Sequence, residues 1–331
     1  MSEWPFIAEL YLTEQCNLNC RYCYVDHKSP NVGLSSTEWI AVLDELAAMR
    51  VCSVLFSGGE PLLRKDFVTL LQAAVERRMR FSLTTNGTLL TADLLEHLLP
   101  FKQRCDNIQI SVDGPEYIHD LARGRGAFAA MVHGVRLLRQ ADFPLTARIT
   151  LGRHNIGHIA ETAKVIFDDL QIPYCGINLV TKIHGQEVGL EPALDDFRSV
   201  LCELPEVFKR WPNRFLADGP WMAILSWKKF LNSPLESSVV SPCHLSGRRL
   251  CVMSNGDVVH CSVLQDLPGG NCREKSLRDI WAGMSLKSIG VAAECLVCEF
   301  KGRCPGRCNC SEGMCLERFL KMGGSVDELL Q

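Results

Sequence analysis

The stretch "FIAELYLTEQCNLNCRYCYVD", Phe6 to Asp26, joins an apolar run to a cysteine loop. Phe6 to Thr13 has the length and composition of a β-strand. Directly behind it stand Cys16, Cys20 and Cys23 at a C-x3-C-x2-C spacing, with no further cysteine before Cys52. Two questions follow. One is which sheet this strand begins, and the other is what three closely spaced thiols at its carboxyl end hold.

The downstream sequence answers the first. "LSSTEWIAVLDELAAMR" reads as a helix, with Ser35 and Glu38 placed as a capping box. "CSVLFSGGE" is a strand ending in glycines, "DFVTLLQAAVERRM" a helix, "RFSLTTNGT" a strand and "TADLLEHLL" a helix. "NIQISVDG", "LTARITLG" and "PYCGINLV" are the fourth to sixth strands, separated by the helices "GAFAAMVHGVRLLRQA" and "IGHIAETAKVIFDDL". Six consecutive βα units predict an α/β fold with a parallel sheet and a site at the carboxyl ends of its strands. They are too few for a closed eight-stranded barrel, so a partial barrel or an open sheet is expected.

Behind the sixth strand the pattern loosens. Between about Gln186 and Val240 Pro192, Pro205, Pro212, Pro220 and Pro234 punctuate the helical stretches "PALDDFRSVLCEL" and "PWMAILSWKKFL". The expected organisation is a core over 1–185, a bridge over 186–240 and a cysteine-rich domain over 241–331. No internal repeat or low-complexity segment appears.

Composition narrows the partners. A formal net charge of -3 gives no basic footprint for nucleic acid. No run reaches the roughly 18 apolar residues of a membrane span, and the start lacks the layout of a signal peptide. The protein is expected in the cytoplasm. There, 17 cysteines point to metal ligands or catalysts rather than disulfides. Three lie in the opening loop and ten between Cys243 and Cys315, while Cys52, Cys105, Cys175 and Cys202 fit small buried hydrophobes.

Four irons and four sulfides need a ligand at each iron, so three cysteines leave one iron open to another ligand. Zinc on three cysteines and His27 is the competing arrangement. "CNLNCRYC" resembles the signature of the radical S-adenosylmethionine (SAM) enzymes, C-x3-C-x-aromatic-C, in the same place after the first strand. The resemblance implies that SAM chelates the open iron and that an electron from the cluster cleaves the sulfonium to a 5′-deoxyadenosyl radical. The protein then supplies position and exclusion of water.

By the same resemblance Tyr22 lies near the adenine, and "SGGEP" supplies Gly58, Gly59, Glu60 and Pro61, with Glu60 on the amino group of SAM. "TTNG" with Asn86, "SVDG" with Ser111 and Asp113, and "RITLGRHN" with Arg148 and Asn155 line the rest of the pocket. Ser111 is the candidate ribose contact. No catalytic side chain is assigned.

The tail carries Cys243, Cys251 and Cys261 around an "NGD" hairpin turn at Asn255 to Asp257. Cys295, Cys298, Cys304 and Cys308 follow at C-x2-C-x5-C-x3-C, a spacing that a zinc ribbon shares. With Gly270-Asn271 and Ser276 to Trp281, the pattern resembles the SPASM domain of radical SAM peptide-modifying enzymes. That implies a partial (β/α)6 TIM-like barrel with a C-terminal domain holding two auxiliary iron-sulfur clusters, [4Fe-4S] in type. One takes Cys243, Cys261 and Cys308 with Cys251 as a candidate fourth ligand. The other takes Cys295, Cys298 and Cys304, closed by Cys315 or Cys310. Such clusters relay electrons or, with an open site, bind substrate.

"SVDGPEYIHDLARGRGAF", Ser111 to Phe128, resembles a segment of SPASM maturases of sulfatases and ribosomal peptides. The leading expectation is a thioether or carbon–carbon cross-link in a ribosomally synthesised precursor peptide. A flavodoxin- or ferredoxin-type reductant is expected. With the chain starting at its first strand, the leader would be bound by a separate recognition protein or by the bridge. Alternatives are formylglycine formation in a sulfatase, with Asp195, Asp196 or Asp218 as base, and a small-molecule dehydrogenase. An epimerase using Cys272 or Cys310 as hydrogen donor and a non-catalytic zinc scaffold complete the set. His119, His133, His154 and His158 read as packing or surface residues, and His260 as a neighbour of the ligand Cys261.

Overall fold

The computed structural model describes residues 4–23, 25, 33–180, 189–216, 249–262, 265 and 268–284. All six expected strands form: β1 (Ile7–Tyr11), β2 (Ser53–Ser57), β3 (Arg80–Thr85), β4 (Cys105–Ser111), β5 (Leu145–Leu151) and β6 (Tyr174–Leu179). Between them run α1 (Ser36–Ala48), α2 (Phe67–Glu76), α3 (Ala92–Leu98), α4 (Glu116–Arg123), α5 (Ala127–Gln140) and α6 (Ile159–Lys164). Helix α7 (Leu194–Arg210) follows β6, and the tail adds β7 (Arg249–Val252), β8 (Asp257–Val259), β9 (Gly270–Asn271) and α8 (Leu277–Gly283). The capping box of α1 is present: Ser35 Oγ accepts the Glu38 N–H, and Glu38 accepts the Ser35 N–H at 2.8 Å.

The chain divides into two compact units. The first holds β1 to β4, α1, α2, α3, α5 and the described tail residues. Its strands are ordered β4-β3-β2-β1-β7-β8-β9, parallel from β4 through β7 and antiparallel beyond. Alternation along these strands separates two faces. Val54, Phe56, Phe81, Leu83, Ile108 and Ile110 are buried on the helix-covered face. There Phe56 meets Phe67 of α2 edge-on at 5.5 Å between ring centroids. Burying one such side chain contributes about 1.5–3 kcal/mol.

Leu55 apart, the opposite face of β2 to β4 is polar and mostly half-buried. Leu55 and Ser82 are neighbours across β2 and β3, as are Ser82 and Asn107, and Thr84 and Gln109, across β3 and β4. Asn107 donates to Thr146 Oγ1 at 2.8 Å and Gln109 to Thr84 Oγ1 at 3.4 Å.

Strand β7 lies beside β1 on the side away from β2, so the first hairpin of the cysteine-rich tail extends the core sheet. An ion pair between buried Glu9 and half-buried Arg249 joins them: Arg249 Nη2 stands 2.5 Å from Glu9 Oε2, while Ser57 Oγ donates to Glu9 Oε1 at 2.7 Å.

In the second unit β6 neighbours β5, and the Val180 N–H donates to the Leu151 carbonyl at 2.8 Å. Helix α7 departs from expectation by running through Pro205 to Arg210. The physical reason is its apolar stripe: Val200, Leu204, Val207 and Trp211 are all buried, spaced at three and four residues, which outweighs the backbone hydrogen bond that a proline removes. Helix α4 also went unanticipated, because its sequence is strongly polar apart from Ile118 and Leu121. The stretch "PWMAILSWKKFL" lies outside the described residues. Among the described residues no helix is long and apolar enough to cross a membrane.

Replacing Arg249 with Met strands the Glu9 carboxylate in the sheet. The expected loss is about 3–5 kcal/mol, read as a lowered urea midpoint. Glu9→Leu combined with Arg249→Met removes both charges and is expected to recover most of it.

Candidate functional site

The parallel ladder of β1 and β2 does not end with the strands. Leu12 N–H donates to the Ser57 carbonyl at 2.9 Å, Gly59 N–H to Thr13 at 2.6 Å and Glu60 N–H to Gln15 at 2.8 Å. This continuation carries the chain to Cys16. It requires glycine: a Cβ on Gly59 would lie 2.2 Å from the Gln15 carbonyl oxygen, and one on Gly58, at φ +142°, 2.5 Å from that of Thr13.

Two further contacts fasten the loop. The Arg64 Nη1 donates to the carbonyls of Leu12 and Leu34, both at 3.1 Å, and so ties the chain before the cysteines to the chain after them. Asp66 orients that guanidinium through Nε at 2.9 Å and Nη2 at 2.6 Å. On the other side Asn86 Nδ2 donates to Asn17 Oδ1 at 2.9 Å and approaches Cys16 Sγ at 3.8 Å. Sequence reasoning missed Arg64; its signal was the first of two cations, Arg64 and Lys65, behind the GGEP turn.

Glu60 is completely buried. Its carboxylate accepts from Thr85 Oγ1 at 2.8 Å, the Asn86 N–H at 2.8 Å and the Leu62 N–H at 3.1 Å, locking the SGGEP and TTNG turns together. Burial pushes its pKa up to about 7, against the lowering effect of those donors. Pro61, also buried, starts the short 3₁₀ turn that follows.

Cys16, Cys20 and Cys23 are half-buried, and the Cys23 N–H donates to the Cys20 carbonyl at 3.0 Å. Burial pushes the Cys16 and Cys23 thiols up. A bound metal reverses this, because coordination deprotonates a thiol. The side chains brought near them are an amide, a guanidinium (Arg123 Nη1, 3.9 Å from Cys20 Sγ) and an aromatic ring, Tyr22. That donor set suits thiolates gathered on an electron-rich centre. Among the described residues no three Cys, His, Asp or Glu side chains converge on a single ion; a four-iron cluster needs no such convergence, since each thiolate takes its own iron.

Of the remaining residues expected to bind the cofactor, Ser111 is half-buried at the end of β4. In the second unit Asn155 is spent on backbone: Oδ1 accepts the Gly152 N–H at 2.9 Å, and Nδ2 donates to the carbonyls of Asp113 and Thr150 at 3.0 and 3.1 Å. Asp113 Oδ1 accepts the Thr150 N–H at 3.0 Å. Both residues brace the end of β5. Arg148 reaches Asn178 Oδ1 at 3.4 Å. Asp196 accepts the Ala193 N–H at 2.6 Å and faces Arg153 at 3.3 Å, so this carboxylate caps α7. Asp195 shares its first turn.

In the tail Cys251 is fully buried in a cluster with Tyr11, Met253 and Val259, and burial raises its thiol far above the usual range. Cys261 is half-buried just past β8. Beside it His260 is buried, and neither ring nitrogen has a hydrogen-bond partner among the described residues; burial lowers its pKa. The Nε of Arg249 is likewise buried and without a partner among the described residues. Cys272 is half-buried, its thiol pushed up to about 11 by burial. Cys243, Cys295, Cys298, Cys304, Cys308, Cys310, Cys315, His27 and Asp218 lie outside the described residues.

Strand-end loops that hold three thiols against a polar cradle define an α/β enzyme built around a metal cofactor. Comparison with known proteins places it: the radical SAM superfamily model matches residues 10–166, and that of the iron-sulfur cluster-binding SPASM domain matches residues 243–311. The chain belongs to the radical SAM superfamily and carries a SPASM domain. It is an enzyme that binds a [4Fe-4S] cluster and SAM.

Among similar proteins, the AdoMet-dependent heme synthase of Methanosarcina barkeri is 29% identical over 325 residues, covering 92% of each chain. The PqqA peptide cyclase of Granulibacter bethesdensis is 29% identical over 299 residues, 82% of this chain and 72% of its own. Streptococcus suis SuiB bound to precursor peptide SuiA superposes with a TM-score of 0.74 at 19% identity, over 93% of this chain and 72% of that one. The fold is therefore the TIM-like one expected.

Gly59→Ala is expected to destabilise the chain by about 3 kcal/mol, seen as a lowered thermal midpoint with reduced iron content. Gly157, whose Cβ would meet open space, is the control: Gly157→Ala should leave both unchanged.

Proposed function

We propose that this enzyme modifies a ribosomally synthesised precursor peptide, using the 5′-deoxyadenosyl radical to form a thioether or carbon–carbon bond at an unactivated carbon. The observation that carries this reading is the polar face of the first unit's sheet, where Ser82, Thr84, Asn107, Gln109 and Thr146 offer hydroxyls and amides in cross-strand rows. Such a face complements the amides of a peptide. A flat, largely apolar macrocycle would be better served by aromatic and aliphatic walls. The peptide substrates named for relatives of this chain support the same reading.

Cys16, Cys20 and Cys23 hold the cluster that binds SAM, with Tyr22, Gly58, Gly59, Glu60, Asn86 and Ser111 around the cofactor. The carboxyl end of the chain, from about residue 241, holds two auxiliary clusters, the first on Cys243, Cys261 and Cys308. The ring of His260 and the Nε of Arg249, buried and without partners among the described residues, suit a neighbouring electron-rich centre. A flavodoxin- or ferredoxin-type protein supplies the electron in the cytoplasm.

A second reading, action on a tetrapyrrole, is favoured by the nearly full-length match to the heme synthase. The reduced enzyme, given SAM together with short peptides encoded beside its gene or with a propionate-bearing iron porphyrin, separates the two. Release of 5′-deoxyadenosine with a peptide lighter by a hydrogen pair is expected; an altered porphyrin beside unchanged peptides overturns the peptide reading. Iron should be about twelve per chain, falling to about eight when Cys16, Cys20 and Cys23 are all Ala.

Glu60 gives SAM binding a pH dependence. An ammonium needs the ionised carboxylate, which at a pKa of about 7 is the minor form in acid. Bound SAM lowers that pKa, so affinity should strengthen by up to about tenfold per pH unit as pH rises toward 7, then level off. Anaerobic titration calorimetry across this range reads it, and Glu60→Gln should bind weakly with no such slope.

A further inference from the structure

Arg123 ends helix α4, in a segment that the SAM site as described leaves without a role. Its side chain is buried, 7% exposed, although the helix around it is largely polar. Nη1 approaches Cys20 Sγ at 3.9 Å in N–H···S geometry, and the guanidinium carbon stands 5.6 Å from the centroid of the Tyr22 ring. The backbone repeats the attachment: the Arg21 N–H donates to the Ala122 carbonyl at 3.0 Å. Its charge also acts on the Cys16 and Cys23 thiols and on Glu60, in each case favouring the ionised form.

We propose that Arg123 is a positioning residue that raises the reduction potential of the SAM-binding cluster, by holding a permanent positive charge against Cys20 and the ring of Tyr22. The inference rests on Cys16, Cys20 and Cys23 being that cluster's ligands. Adding an electron to a thiolate-bound cluster adds a full negative charge in a medium of low dielectric, and a fixed cation beside the sulfur stabilises that state. Arginine serves where lysine serves less well as a lock, because its guanidinium does not deprotonate and its plane can lie over an aromatic ring. The N–H···S approach falls on the loop of Cys16, Cys20 and Cys23, so the effect is expected at this cluster.

The test uses the full chain, reconstituted anaerobically, as wild type, Arg123→Gln and Arg123→Lys. Iron per chain and reductive titrations followed by electron paramagnetic resonance are recorded, and the SAM-binding cluster is identified by the signal that changes when SAM is added. At a poise where the wild-type cluster is half reduced, the Gln variant is expected to show a reduced-to-oxidised ratio about tenfold lower, equivalent to about 59 mV for one electron. The Lys variant, which keeps the charge, should stay within about twofold, and signals that SAM does not change should not move. Full iron with an unmoved potential in the Gln variant overturns the proposal. If the Gln variant loads poorly, the Lys variant decides: a potential shifted despite the retained charge overturns it. A wild-type chain with no SAM-responsive signal overturns the ligand assignment beneath it as well.

Discussion

The backbone ladder between Thr13–Gln15 and Gly59–Glu60 is the constraint on which the rest of the site depends. Parallel strands usually separate at their carboxyl ends, where loops diverge to form a site. Here β1 and β2 stay paired beyond their last strand residues, so the chain enters the cysteine loop along a direction fixed by the sheet. Because a Cβ on Gly59 would overlap the Gln15 carbonyl, backbone approach and residue identity are one requirement. From that fixed start, Arg64 ties Leu12 to Leu34 and Asn86 holds Asn17, which leaves the three thiols on a short, braced arc.

Electrostatics then divides the labour among the braces. Glu60 is surrounded by hydrogen-bond donors yet remains hard to ionise, because full burial outweighs them. The Cys16 and Cys23 thiols are raised for the same reason. Both are costs of keeping water away, and both reverse when a cation or a metal arrives. The site is thus arranged for occupancy: its acids ionise when a cofactor binds and release their protons to solvent.

How much of this was legible in the sequence follows from the range of each interaction. The six strands and the α1 capping box depend on local periodicity and were readable, as was the hairpin turn, where Gly256 takes φ +91°. The motif glycines were read only as contacts to a cofactor; that Gly58 and Gly59 pack against the backbone of Thr13 and Gln15 depends on the neighbouring strand and was not readable. Nor was helix α4, since its apolar content is small, and with it Arg123 was passed over. Pro205 misled in the opposite sense: a local rule predicted a break where Leu204, Val207 and Trp211 keep α7 intact. Glu9 and Arg249 are 240 residues apart, and nothing local in either segment announces the pair.

That pair has a structural consequence for the two cysteine regions. Strand β1 delivers Cys16 to Cys23 from its carboxyl end, and along its length it is in register with β7, Glu9 opposite Cys251. Cys251, with Cys261 beyond the next turn, is therefore attached to the very strand that leads into the SAM loop. A separately tethered domain would let the distance between the two thiol sets vary with every fluctuation of a linker. A shared parallel ladder, closed by a buried carboxylate and a half-buried guanidinium that are costly to separate, fixes it instead. Beyond β7 the sheet turns mixed: β8 returns antiparallel through the turn at Asn255 to Asp257, so the tail extends the sheet from β7 without a further crossover.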